Sequence, residues 1–356
     1  MTQITKPDNR CYPEKVDNEW LSQVLAYSGH NGVVRSFTKK NIGTGQVGQN
    51  VRFELDYASG NGPSSLVGKF ASDDPVSRQT GIAVNDYLKE VLYYQQIEPT
   101  VDIRTPKIYF SAINLDQADE FVLMMEDLTP GGVQGDQLAG CNADQAALAI
   151  TELAGLAGPR WCDPTLKDIE WLAPTMPADN PRALWDMVCP GFLERYGDKL
   201  KPEHARLVTD LGEKFHLYNG NTPNKFTLVH IDYRLDNMMF GGPYPITVVD
   251  WSPSIGTGGA DAAYFMGTGM DAAPRAACEV DVLKQYHQRL KSYGVDNYTF
   301  DECWNDYRLS SFAGLVMAVI ASMIVNQTER GDEMFMTMLR RSADMALHLD
   351  GLDLLK

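Results

Sequence analysis

The sequence predicts an α+β chain in which a small antiparallel β-rich lobe precedes a larger, mainly helical lobe. Three observations point there. Between about 50 and 125, short runs alternate apolar with polar residues, the period of half-buried strands. Beyond Met125 the apolar pattern lengthens to the helical period, with one short β-like island near 227–249. At 356 residues, 44% hydrophobic and 22% charged, the chain is long enough for two domains and for a large core without staples.

In chain order, Val51, Phe53, Leu55 and Tyr57 alternate with Arg52, Glu54 and Asp56 as one strand. A turn-rich stretch, Ala58 to Pro63, separates it from a second run, Leu66 to Phe70, and the pair reads as a hairpin. A helix follows over Asn85 to Gln96, with Tyr87, Val91 and Tyr94 on one stripe, then strands over Lys107 to Ile113 and Glu120 to Met125. Glu126 to Gly132 reads as a crossing segment. The boundaries are therefore 1–125 for the first lobe, 126–132 for the hinge and 133–356 for the helical lobe. Helices are predicted over Ala143–Leu156, Pro202–Tyr218, Ala277–Tyr293, Trp304–Val325 and Glu333–His348.

Composition narrows the partners. The net charge of −16 gives no general attraction to nucleic acid or anionic lipid. The six cysteines are scattered without a C-x-x-C pair, which argues against a zinc site and a disulfide framework. The opening MTQITKPDNR lacks the apolar core of a secretory signal. Phe312 to Val325 falls short of the ~18 apolar residues of a membrane span and reads as a core helix. A cytoplasmic protein with no nucleic-acid partner and no membrane span is expected.

Gly43-Thr44-Gly45-Gln46-Val47-Gly48 matches G-x-G-x-x-G. A dinucleotide-binding reading needs a helix directly after the last glycine, and here a strand follows. A glycine turn between two strands instead suits nucleotide phosphates in the kinase manner. Lys69, on the second strand of the hairpin, could reach those phosphates, and Glu90 on the next helix could hold it by an ion pair. The sharpest signal is His230-Ile231-Asp232-Tyr233-Arg234-Leu235-Asp236-Asn237, an H-x-D-x-x-x-x-N pattern, followed by Val248-Val249-Asp250-Trp251. Phosphoryl transfer needs a carboxylate to orient and deprotonate a hydroxyl, and oxygen ligands for Mg²⁺. Asp232 suits the first role, and Asn237 and Asp250 the second. Asp236 reads as a loop-bonding carboxylate and His230 as a structural histidine.

The ordered set Gly43/Gly45/Gly48, Lys69, Glu90, LMMEDL, HIDYRLDN and VVDW resembles the aminoglycoside phosphotransferase and choline-kinase-like superfamily. GTGGADAAYFMGTG, YHQRLKSYGVDNYTFDECWNDYR and RGDEMFMTM are similar to its bacterial ecdysteroid-kinase-like branch. The resemblance implies a protein-kinase-like bilobal fold and ATP- and Mg²⁺-dependent phosphorylation of a small-molecule hydroxyl. By position it makes Asp232 the catalytic base, Asn237 and Asp250 the magnesium ligands, and Lys69 a phosphate contact positioned by Glu90. It also makes Met125 to Leu128 the hinge, with main-chain Glu126 and Leu128 facing adenine, and Asp261 a buried brace for the catalytic loop. Ile231 stands where the family usually carries glycine.

Substrate is the least determined property. A largely apolar alcohol, sterol-like or hydroxyacyl, would suit a slot lined by Met266, Met270, Phe312, Met317, Met323, Met334 and Met338, most of which could equally pack helix on helix, with Arg340-Arg341 meeting the phosphates of an acyl-CoA. An aminoglycoside would suit Asp271, Glu279, Asp281, Asp332 and Glu333. A catalytically silent nucleotide-binding protein on the same fold is the alternative from another class.

Overall fold

The computed structural model describes residues 5–43, 47–173, 182–219 and 225–356. The chain divides into one unit of residues 1–99 and 105–132, and another of residues 100–104 and 133–356.

The first unit opens with helix α1, Asn18–Tyr27, whose N-cap carboxylate Asp17 accepts the Trp20 N–H at 2.8 Å. Then come β1 (Val33–Ile42), β2 (Gly48–Ser59), β3 (Ser65–Ala71), α2 (Pro75–Ala83), α3 (Asp86–Leu92), β4 (Ile108–Asn114) and β5 (Gln117–Glu126). The strands form one antiparallel sheet in the order β1-β2-β3-β5-β4, with Lys69 of β3 opposite Asn50 and Leu123. Because strand side chains alternate, one face of the sheet offers Val51, Phe53, Leu66 and Phe70 to Trp20, Leu21, Val24 and Leu25 of α1. Helix α3 runs on into a π-helical turn, Tyr93–Ile97, and Tyr87 stacks on Phe121 of β5 at 4.9 Å. The strand alternation read from the sequence is present; α1 and α2 come in addition to it.

The second unit is mostly helical. Its elements are β6 (Gly132–Gln134), α4 (Ala143–Ala157), α5 (Ala183–Tyr196), α6 (Pro202–Asn219), β7 (Thr227–Val229), β8 (Met238–Gly241), β9 (Ile246–Val248) and β10 (Ser254–Gly256). After them come α7 (Ala260–Gly269), α8 (Ala272–Ser292), α9 (Phe300–Leu309), α10 (Ala313–Ile324), α11 (Glu329–His348) and α12 (Gly351–Leu354). The β-like island forms two small ladders, β7 with β10 and β6-β8-β9. The helix predicted over 304–325 is two helices. Thr299 and Glu302 form a capping box that starts α9 earlier, and a 3₁₀ turn at Ser310–Phe312, where two serines weaken the helix, separates it from α10. Phe300–Ile324 is long and apolar enough by composition to cross a membrane, with mean hydropathy 1.6, yet half of it is buried inside the protein and the 3₁₀ turn interrupts it.

Helix α4 seats the segment that precedes β4. The Asp102 N–H donates to the Gly155 carbonyl at 2.9 Å, and a Cβ on Gly155 would stand 2.9 Å from the Ile103 nitrogen and 3.0 Å from the Asp102 carbonyl carbon. These are backbone atoms and cannot rotate away. Gly155→Ala should therefore destabilise the protein by about 1–3 kcal/mol, the cost of overpacking. A urea midpoint equal to that of the wild type would show that the two segments part without cost.

Candidate active site

In the first unit the sequence-marked residues gather around Lys69. Gly43, after β1, has φ +74, a left-handed conformation that suits glycine. Gly45 lies outside the described residues. Gly48 begins β2, and a Cβ there would stand 3.1 Å from Cε of Lys69, so the lysine stem crosses close over this glycine. Lys69 Nζ meets Glu90 Oε2 at 2.7 Å, and both side chains are buried. The Tyr87 hydroxyl donates to the Val47 carbonyl, tying the end of the glycine turn to the helix that carries Glu90. The segment after β5 is also fixed. The Glu126 N–H donates to the Lys107 carbonyl at 2.9 Å, and the Leu128 carbonyl accepts from Gly132 at 3.2 Å. Asp127 pairs with Arg52 at 2.8 Å and accepts from Ser65 Oγ at 2.7 Å.

In the second unit β7 leads into the HIDYRLDN loop. Two consecutive peptide N–H groups, of His230 and Ile231, donate to the Asp261 carboxylate at 2.5 and 3.1 Å. Ile231 has φ +74, a left-handed conformation that costs a β-branched residue about 1–3 kcal/mol. The imidazole of His230 is fully buried, 4.4 Å from the Trp251 ring, with Nε2 3.1 Å from the Val249 carbonyl. Its Nδ1 has no hydrogen-bond partner among the described residues. Tyr233 anchors the loop to α4 by donating to the Ala149 carbonyl at 2.7 Å.

The Asp232 carboxylate is held on several sides. The Tyr264 hydroxyl of α7 donates to it at 2.7 Å, Arg234 Nε at 2.9 and 3.1 Å, and Asn237 Nδ2 at 2.8 Å. Because the Asn237 amide nitrogen also donates to the Asp232 carbonyl at 2.9 Å, its oxygen is the atom left for a cation. Val249 N–H donates to the Asn237 carbonyl at 3.0 Å, and Met238 pairs with Val248 across β8 and β9. The residue after Val249, Asp250, takes φ +63 and so turns the chain next to Asn237. An amide oxygen and a carboxylate are hard donors that fit Mg²⁺, whose remaining positions waters and phosphates fill. Among the described residues no group of three or more His, Cys, Asp or Glu side chains offers an all-protein metal cage.

Burial raises the Asp232 carboxyl, and the Arg234 guanidinium and Tyr264 hydroxyl outweigh it, so the group sits below its ordinary value and stays ionised. Burial pushes the Asp261 carboxyl up to about 7 against the pull of the His230 and Ile231 N–H groups. Burial lowers His230 to about 4, more than the neighbouring carboxylates raise it. A neutral, Nε2-protonated imidazole braces the loop and does not carry protons.

Arg234, Tyr264 and Gln137 join the site without being marked by the sequence pattern. Arg234 bridges Asp232 and Asp236, reaching the latter at 2.6 Å. Gln137 donates its backbone N–H to Asp236 at 2.9 Å and accepts the Leu235 N–H at 3.0 Å. Asp236 is thus the loop-bonding carboxylate its position suggests. Arg234 was visible inside the motif as a charge two residues from Asp232. Tyr264 and Gln137 have no local signal, since only the tertiary fold brings them to the loop.

Of the residues proposed to line an acceptor slot, Met266, Met270, Phe312 and Met338 are almost wholly buried among the helices, whereas Met317 and Met323 are half-buried. Met334 touches Arg234, whose Nη1 lies 3.4 Å from its sulfur. Arg341 is buried too, with its guanidinium bonded to Asp271 and to the carbonyls of Gln137, Leu138 and Thr268, so it meets no acyl-CoA phosphate.

The fold is shared with solved small-molecule kinase structures. A choline kinase from Cryptosporidium parvum superposes with a TM-score of 0.57 at 10% identity, over 97% of this chain and 95% of its own. A protein assigned as an aminoglycoside phosphotransferase from Ralstonia eutropha gives 0.51 at 16% identity, over 93% of this chain and 98% of its own. No protein-family model and no curated protein matches the sequence. The antiparallel sheet unit and the helical unit are those of the protein-kinase-like fold.

The buried histidine gives a pH signature. Its folded value of about 4 lies below the ordinary 6.5, so the unfolded chain takes up a proton that the fold refuses. Stability contributed by neutral His230 is complete above pH 6.5 and is lost as pH falls towards 4, at about 1.4 kcal/mol per pH unit. His230→Gln removes this slope, so the wild-type advantage measured by urea unfolding should shrink by about 2 kcal/mol between pH 7 and 4.5. Parallel pH dependences for the two proteins would place the proton on another group.

Proposed function

We propose that this chain is an ATP- and Mg²⁺-dependent O-phosphotransferase acting on a largely apolar small-molecule alcohol. The observation that supports it best is the second unit's loop. One ionised carboxylate, Asp232, is fixed by Tyr264, Arg234 and Asn237, and the Asn237 amide oxygen and Asp250 would serve as cation ligands. The shared fold agrees with this chemistry.

In this reading Asp232 accepts a hydrogen bond from the acceptor hydroxyl and takes its proton as the oxygen bonds to the γ-phosphorus. The bond from that phosphorus to the β-bridging oxygen breaks, and ADP leaves with the electron pair. A carboxylate held below its ordinary pKa is a weak base, which suits a loose transition state in which the hydroxyl loses its proton late. Asn237 and Asp250 would hold Mg²⁺, which would offset the charge of the phosphates. The Lys69–Glu90 pair, with Gly43 and Gly48 before it, would serve the phosphates, and the main chain of Glu126 and Leu128 the adenine. Gly45 takes part through the glycine turn by motif. The GTGGADAAYFMGTG and neighbouring stretches favour the ecdysteroid-kinase-like branch.

Charge decides between acceptors. A polycationic aminoglycoside needs carboxylates with nothing else to bind, and four of the five in question already have partners. Asp271 pairs with Arg340 and Arg341, Glu279 with Arg275, Asp281 with Lys284, and Asp332 accepts from Tyr196 and Gln327. An uncharged, largely apolar alcohol is the acceptor that asks least of them.

Asp232→Asn should lower phosphotransfer by about 10²–10⁴ while leaving Mg-ATP affinity within a few-fold, because the group acts on the acceptor. Turnover within a factor of two of wild type in an ADP-release assay would remove it from the base role. Asp250→Ala should weaken Mg-ATP binding and turnover together, since the carboxylate reaches phosphate only through the ion. Calorimetry with and without Mg²⁺ decides this, and a variant whose nucleotide affinity remained fully magnesium-dependent would show that Asp250 is no ligand.

A further inference from the structure

Five described residues other than glycine have positive φ: Asn85, Cys162, Ile231, Asp250 and Asp350. Asn and Asp tolerate this conformation, whereas Ile231 is the β-branched member, the residue type that tolerates it least. Such strain persists only where the surroundings force it, and it gathers at functional sites. Here the force is Asp261, which fixes the peptide N–H groups on both sides of the strained Cα, those of His230 and Ile231.

That clamp needs a backbone conformation and no side chain. Glycine would satisfy it without strain, so the isoleucine side chain is present for another reason. It is not core packing. Leu228, Val229, His230, Tyr233 and Leu235 around it are buried, whereas Ile231 is 39% exposed, among the few large hydrophobic residues so displayed. Its neighbour Asp232 also reaches solvent, with 30% of its side chain exposed. An exposed aliphatic side chain therefore immediately precedes, along the chain, the carboxylate that would receive the acceptor hydroxyl.

Resting on the kinase reading above, we propose that Ile231 is a specificity-determining contact for the acceptor. Its side chain meets the hydrocarbon next to the hydroxyl that Asp232 receives, and selects aliphatic alcohols over charged ones.

The test is a homologous series of n-alkan-1-ols from ethanol to octanol, with choline as the charged comparator, scored by ADP release with the full chain. Burying each methylene against Ile231 should raise kcat/KM about fourfold over the first carbons, and choline should fall below alcohols of similar size. Ile231→Gly should flatten that slope to under twofold per methylene, Ile231→Val should keep most of it, and Ile231→Gly should melt at a higher temperature than wild type. Ile231→Asn, which tolerates the backbone, repeats the test should the glycine variant fold poorly. A purely structural role would shift all acceptors equally and leave the slope unchanged, so equal slopes in wild type, Ile231→Gly and Ile231→Asn, or a wild type that binds ATP with magnesium but shows no rise along the series, overturn the inference while the kinase reading stands. A wild-type protein that neither binds ATP in a magnesium-dependent way nor releases ADP with any acceptor overturns both.

Discussion

The second unit is organised around one buried carboxylate that holds two consecutive peptide N–H groups. Asp261, near the start of α7, fixes the backbone at His230 and Ile231 and so sets where the chain leaves β7. From that fixed point Asp232 follows, then Asn237 at the end of the loop, then Asp250 beyond the β8–β9 pair. Two donors at 2.5 and 3.1 Å favour the ionised form, and burial opposes it, which leaves this carboxyl near neutrality. A hydrogen-bonded pair of amides is what makes a buried charge tolerable in the middle of a helical core.

The two units solve the problem of placing charge differently. In the first, opposite charges neutralise each other: Lys69 and Glu90 are both buried, and each would be costly there alone. Glycine at position 48 leaves room for the lysine stem, and Tyr87 joins the helix of Glu90 to the glycine turn. In the second, a net negative charge is kept at Asp232 by a guanidinium, a phenol and an amide. The guanidinium is itself shared with Asp236, so the loop carries two carboxylates on one arginine. Such an excess of negative charge is what a divalent cation would relieve.

Much of this was legible in the sequence, for physical reasons. Strands such as β2 announce themselves because one face is buried and the other wet, and HIDYRLDN keeps its chemistry within eight consecutive residues. The Lys69–Glu90 pairing was readable from order alone, because a strand, a helix and opposite charges constrain each other. Tyr264 and Gln137 were not readable, since their partners lie 32 and about 100 residues away. The start of α9 was readable in principle from Thr299 and Glu302, a capping box that precedes the apolar stripe. The methionines were ambiguous because a helical stripe of adaptable apolar side chains looks the same whether it faces a ligand or another helix. Burial puts Met266 and Met338 among those that pack helix on helix, as most of them were expected to do.

Ile231 also bears on how such a loop changes over generations. Where a left-handed turn depends on glycine, the position is closed to variation, because any Cβ strains the turn. Here the turn is imposed from outside by Asp261, so the identity of the residue is separated from the shape of the backbone. Position 231 is then free to drift among side chains whose strain the rest of the fold can carry. Asp232 keeps its place through Tyr264, Arg234 and Asn237 while its neighbour changes. The side chain at 231 can therefore change without first dismantling the contacts that hold Asp232.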